Sequence, residues 1–261
     1  MSALHAEVSG RGRRDLVLLH GWGMNLRVWD ELAHALSRRF RTIAIDLPGH
    51  GRSDWDGTSH AAAQTFRVHE TLAPLTTRYH LLGWSLGGQI ALDLAAALPA
   101  GIERLILVAT TPRFLAGPGW RCGLREASLE RLAGEVQVHP AKAVSGFLKS
   151  QVRGLAPRTA GRVLGRLRAA LERGGAAQSD ALAWGLERLR RGDLRPQLSQ
   201  VRAPTLVIAG ESDRITPAAA SRALAAALPN GRFSELRGAG HVPFLSNRAQ
   251  FLAALDGFLR G

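Results

Sequence analysis

Three residues could together make a nucleophile. Ser85 lies between glycines in Gly83-Trp84-Ser85-Leu86-Gly87, and a carboxylate at Asp213 and a histidine at His241 follow it in the chain. A serine hydroxyl attacks an acyl carbon only when a base takes its proton, and the base needs a carboxylate to hold its tautomer. The order Ser, acid, His satisfies both needs in a G-x-S-x-G protein. Glu211 is a rival for the acid, against the ordinary reading of a solvated loop charge; Asp213 is the better candidate, because it sits just past a strand-like run. The other histidines read as surface or packing residues.

Acyl transfer also needs donors for the developing oxyanion, usually backbone N–H groups. The amide of Leu86, directly after the serine, can supply one. A second is expected from Trp22 in His20-Gly21-Trp22-Gly23, where glycines permit close backbone approach. His20 reads as an organiser of this loop rather than a base. Asp46, at the start of a glycine-rich turn, reads as structural.

These groups need elements to hold them. Apolar runs at residues 16–19, 42–45, 80–82, 105–108 and 205–208 lack alternation, as strands buried on both faces do. Between them lie amphipathic segments such as Ile90, Leu94 and Leu98, which share one helix face and end at Pro99. A last helix is expected over about 247–259. Strands alternating with helices predict an α/β fold with a mostly parallel central sheet flanked by helices. The alternation stops between 114 and 195, where the pattern is helical. We therefore expect a core of residues 1–113 and 196–261 and a helical lid of 114–195.

Composition sets limits. The 261 residues, 46% of them hydrophobic, suffice for one large buried core. No apolar run approaches the roughly 18 residues of a membrane span, and no signal-peptide core is visible, so a cytoplasmic location away from membranes is expected. Cys122 is the single cysteine, which excludes an internal disulfide. Net charge is +13, and among 34 Lys and Arg only Lys142 and Lys149 are lysine. The insertion holds 15 Lys/Arg against seven Asp/Glu. With aromatics at 6% and no recognition motif, nucleic acid is a poor partner for this charge. No ligand-spaced His/Cys/carboxylate cluster asks for a metal, and no cofactor is expected.

The succession of HGWG at 20–23, DLPGHGRS at 46–53, GWSLGG at 83–88, Asp213 and Gly240-His241 resembles the α/β-hydrolase family. More narrowly, the tryptophans of HGWG and GWSLGG, with Thr111-Pro112-Arg113-Phe114, Gly192-Asp193-Leu194-Arg195 and His241-Val242-Pro243-Phe244, resemble the pimeloyl-[acyl-carrier protein] methyl ester esterases of biotin synthesis. That resemblance implies a serine carboxylesterase, without cofactor, that frees the distal carboxylate of a pimeloyl chain on acyl-carrier protein. Phe147-Leu148-Lys149-Ser150-Gln151 is similar to the segment that lines the acyl site in that family. The implied substrate-binding set is those five residues with Trp22, Ser85, Leu86 and His241.

Acyl-carrier proteins are acidic, so the resemblance gives the basic insertion a meaning. Arg158, Arg162 and Arg166 recur every four residues, stacking like charges on one helix face at a cost of a few tenths of a kcal/mol per pair. With Lys142 and Arg153 they form a candidate docking surface. The alternative is an Arg-rich solvated face produced by composition. Gly146 and Thr159 stand where the family would carry basic residues. Trp22, Trp84 and Phe147 could wall an acyl tunnel or pack the core. The competing readings of the whole chain are a broad carboxylesterase for short acyl esters and a non-catalytic binding scaffold. A monomer is expected.

Overall fold

The computed structural model describes residues 3–260; positions 1, 2 and 261 of the expected core segments lie outside the described residues. Seven strands form one sheet: β1 Ala6–Ser9, β2 Arg14–Leu19, β3 Phe40–Ile45, β4 Tyr79–Trp84, β5 Ile102–Val108, β6 Thr205–Gly210 and β7 Gly231–Leu236. They run in the order β1-β3-β2-β4-β5-β6-β7, with only β1 antiparallel to its neighbour. The five apolar runs are the five inner strands. The two edges went unread because one of their faces meets water, so β1 and β7 carry Glu7, Ser9, Arg232 and Glu235 among their residues and show no continuous apolar run.

Alternate side chains of the inner strands feed two cores. Val17, Leu19, Leu81, Leu107 and Val207 face α2 (Ala61–Leu72), α3 (Leu86–Ala97) and α8 (Ala218–Ala227), after α1 (Asp30–Leu36) has crossed to the other side. Leu16, Leu18, Leu82, Ile106 and Ile208 face α1 and the C-terminal helix. Four helices leave the sheet between β5 and β6: α4 (Glu126–Val138), α5 (Pro140–Gln151), α6 (Pro157–Gly174) and α7 (Ser179–Arg191). Short α9 (Pro243–Ser246) and then α10 (Arg248–Arg260) close the chain.

The two ends of the helical segment are held together. The Leu194 N–H donates to the Pro112 carbonyl at 2.8 Å, and Asp193 accepts from Arg113 at 3.2 Å and from both arms of Arg195 at 2.8 and 2.6 Å. Deeper in, Asp93 of α3 accepts from Arg188 of α7 at 2.6 Å and from Thr65 of α2 at 3.2 Å. Arg188 and Asp93 are largely withdrawn from water, so removing one partner would strand a buried charge. Helix α6 is lashed to α1 by Arg166–Glu31 and Arg173–Asp30, both 3.0 Å. No described helix is long and apolar enough to cross a membrane.

Three buried histidines make the fold sensitive to acid. Burial holds His20 down to about 4, His50 to about 3, helped by the neighbouring His20, and His80 to about 4. Each stays neutral when folded but takes up a proton near pH 6.5 when unfolded. Stability is therefore unaffected above that pH and falls from about 6.5 down to about 4, each group contributing about 1.4 kcal/mol per pH unit. The urea midpoint should drop across this window, and His80→Leu should flatten the drop. A midpoint constant from pH 7 to 4.5 would contradict this account.

Candidate active site

Strand β4 ends and α3 begins at Ser85, whose backbone lies at φ 55°, ψ −117°. A β-carbon on Gly83 would sit 2.4 Å from the Gly87 carbonyl oxygen, and one on Gly87 would sit 2.4 Å from that of His20, so the turn closes only with glycine at both places. Its conformation is held from three sides. The Ser85 N–H donates to Val108 at 2.9 Å, while its carbonyl accepts from Thr110 Oγ1 at 2.8 Å and from the Gly88 amide at 2.9 Å.

His241 Nε2 is 3.1 Å from Ser85 Oγ, and its Nδ1 is 2.9 Å from Asp213 Oδ2. The other Asp213 oxygen accepts the amides of Ile215 and Thr216 at 2.8 and 3.0 Å, which fixes the carboxylate plane. With Nδ1 protonated toward Asp213, Nε2 carries the lone pair that accepts the serine proton. Glu211 is instead engaged by the Gly238 amide at 2.8 Å on the surface. Gly210 lets the two loops meet, since a β-carbon there would lie 2.3 Å from the Gly240 carbonyl oxygen.

The HGWG loop lies over the elbow, where a β-carbon on Gly21 would be 3.3 Å from that of Ser85. Its backbone is pinned by two neutral imidazoles. His20 Nδ1 donates to Gly21 O at 2.9 Å and its Nε2 accepts the Leu47 amide at 2.9 Å. His50 Nδ1 donates to Pro48 O at 2.9 Å and its Nε2 accepts the Gly23 amide at 3.2 Å. The Trp22 amide between them has no acceptor among the described residues. Leu86 opens α3, where helix amides lack an internal partner. Asp46 accepts the amides of Leu26 and Arg52 at 2.7 and 3.0 Å, and burial raises its pKa, which makes it a bracket for this turn.

The helical segment covers the site. Trp22 Nε1 donates to Leu182 O of α7 at 2.9 Å, and its ring meets Phe147 of α5 edge-on, centroids 5.0 Å apart. Gly185 of α7 packs against Trp22 and Leu86, where a β-carbon would lie 2.6 Å from the indole. The sequence signal for that contact was a glycine inside a helix, which gives up about 1 kcal/mol relative to Ala unless packing needs it. Trp84 does not join Trp22 and Phe147: it packs on the opposite face of the sheet with Trp29 and Phe244.

The segment 147–151 cannot face the site as a whole, because five helical residues span every side of a helix. Leu148 and Gln151 are buried, Phe147 and Ser150 half-buried, and Lys149 is exposed on the far face. Ser150 Oγ is spent on the Phe147 carbonyl at 2.6 Å. Both side-chain amide atoms of Gln151 are buried with no partner, and its backbone carbonyl lies 3.4 Å from the β-carbon position of Gly240 beside His241. Of the basic candidates, Lys142, Arg153, Arg158 and Arg162 are exposed, whereas Arg166 is held by Glu31.

Only 7% of Ser85, 1% of His241 and 6% of Asp213 remains exposed. A cleft of about 1420 Å³ between α4 and α7 and helices α2 and α3 is lined by none of the three. Geometry rather than cleft size therefore locates the site. Ser85→Ala should cut ester turnover by on the order of 10⁶ with the melting temperature preserved. Asp213→Asn should cost on the order of 10⁴ by supporting the wrong tautomer, while Glu211→Gln should stay near wild type. Equal losses in the two acid variants, read by steady-state kinetics, would overturn the assignment of the acid.

Comparison with known proteins agrees with this architecture. The alpha/beta hydrolase family matches residues 16–255. The pimeloyl-[acyl-carrier protein] methyl ester esterase of Nitrosomonas europaea is 38% identical over 257 residues, covering 98% of this chain and 99% of its own. That of Edwardsiella ictaluri is 39% identical over 262 residues, covering 100% and 99%. Among solved structures, a hydrolase from Pseudomonas aeruginosa superposes with a TM-score of 0.83 at 32% identity, covering 98% of this chain and 94% of that one. The chain belongs to the alpha/beta hydrolase family.

Proposed function

We propose that this chain is a serine carboxylesterase that hydrolyses the methyl ester of pimeloyl-acyl-carrier protein and frees the distal carboxylate needed in biotin synthesis. The observation that carries the chemistry is the hydrogen-bonded chain from Ser85 through His241 to Asp213 on a strained elbow. The substrate rests on end-to-end similarity to relatives that bear this name.

Ser85 Oγ attacks the ester carbonyl while His241 Nε2 takes its proton. The amides of Trp22 and Leu86 hold the oxyanion, and the imidazolium returns the proton to the departing methoxide as methanol. Water then attacks the acyl-enzyme with His241 again as base, giving the carboxylate and restoring Ser85. Residues 114–195 act as the lid. Phe147 and Trp22 supply its apolar wall, and the unpartnered Gln151 amide offers a hydrogen bond to a polar atom of the acyl or linker chain. Carrier docking falls to the exposed Lys142, Arg153, Arg158 and Arg162, with Arg166 fixing α6 through Glu31. The enzyme works as a cytoplasmic monomer.

Mass spectrometry of methyl-pimeloyl-acyl-carrier protein beside free dimethyl pimelate tests this reading, with Ser85→Ala as the blank. Loss of one methyl at much higher kcat/KM from the carrier-bound ester supports it. Replacing Lys142, Arg153, Arg158 and Arg162 by Ala should raise KM for the carrier substrate by about tenfold or more and leave the free ester unchanged, because rim charges act on encounter. Comparable turnover of the two esters by wild type would indicate a general esterase, and no turnover of either would return the chain to a binding scaffold.

A further inference from the structure

The variable residue of the elbow, Trp84, has a place the esterase chemistry above does not use. Its indole N–H donates to the backbone carbonyl of His241 at 2.8 Å. The ring lies 5.7 Å from the His241 imidazole and 5.3 Å from Phe244, and it is braced by Trp29 at 6.3 Å. A β-carbon on Gly21 would come within 3.1 Å of the same indole, so the ring is also the floor under the HGWG loop. Trp84 is 1% exposed. One rigid side chain, joined covalently to Ser85, thus touches the loop of the base and the loop of the oxyanion donor.

His241 lies in neither a strand nor a helix. Among the described residues its carbonyl accepts only from this indole, and its imidazole hydrogen-bonds only to Asp213 and Ser85. We infer that Trp84 is a positioning residue that sets the height of His241 above the elbow, so that Nε2 meets Ser85 Oγ while Nδ1 keeps Asp213. The inference rests on the reading of Ser85, His241 and Asp213 as the catalytic array. The physical reason is that a buried hydrogen bond to a rigid bicyclic ring leaves the carbonyl little angular freedom. A base displaced by a fraction of an ångström loses the geometry on which proton transfer depends.

Trp29 supplies an internal control. Its indole packs edge-on against Trp84, but its own buried N–H has no partner. Benzothienylalanine, in which sulfur replaces the N–H and the bicyclic shape is kept, can be placed at either position. At 84 it should lower kcat for p-nitrophenyl butyrate by on the order of tenfold per site titrated with a fluorophosphonate, at unchanged KM and melting temperature. It should also broaden the low-field proton resonance of the His241–Asp213 hydrogen bond. At 29 it should leave all of these readings unchanged.

If the isosteres do not fold, Trp84→Phe, read per titrated site, should still lower kcat and broaden the resonance, and by more than Trp29→Phe, which loses packing alone. Equal effects at 84 and 29, or an intact kcat and resonance at 84, would remove the positioning role while leaving the catalytic array in place. Wild-type protein that neither turns over the ester nor reacts with the fluorophosphonate would remove the catalytic reading, and this inference with it.

Discussion

Ser85 holds a backbone conformation that a residue with a side chain adopts only when its surroundings force it, at a strain on the order of 1–3 kcal/mol. The sheet supplies the force. Strand β5 takes the Ser85 amide through the Val108 carbonyl, and the Thr110 hydroxyl, two residues beyond, donates to the Ser85 carbonyl, so the elbow is registered against a parallel neighbour as well as its own helix. Small residues on every side then follow as a requirement: Gly83 and Gly87 close the turn, and Gly210 lets the His241 loop reach it. The reactive oxygen projects from the one point where strand, helix and loops converge.

The parts of the molecule legible in the sequence were those under this constraint. Glycines at fixed offsets, an acid past a strand and a histidine before the last helix are local patterns, and the inner strands announce themselves because both faces are buried. Edge strands β1 and β7 do not, since their outward residues are free to be polar. Within the site, the pairing of Trp22 with Phe147 and the separate placement of Trp84 depend on which sheet face each ring occupies, and letters in order do not encode that. The neutral state of His20 and His50 was equally invisible. It arises from complete burial and from two backbone amides, at Leu47 and Gly23, that need acceptors.

Charge tells a similar story at longer range. The arginine-rich insertion reads as one basic block, yet the structure divides its members by task. Arg188 pairs with Asp93 under α7, Arg195 shares Asp193 with Arg113 of the core at the neck, and Arg166 and Arg173 reach across to α1. Lys142, Arg153, Arg158 and Arg162, on α5 and α6 and the turn between them, are exposed. Periodicity in a sequence marks a helix face, but only the neighbouring elements determine which of its charges are already spoken for.

The neck has a consequence for how such proteins diversify. Since Pro112 and Leu194 are hydrogen-bonded side by side, the chain leaves the sheet and returns to it at a single point. The strand spacing between β5 and β6 is then indifferent to what is strung between them. Away from the contacts that Leu182, Gly185 and Arg188 make with the core, helices there can be lengthened or recharged with the elbow undisturbed, so substrate range and chemical step are free to evolve on separate clocks.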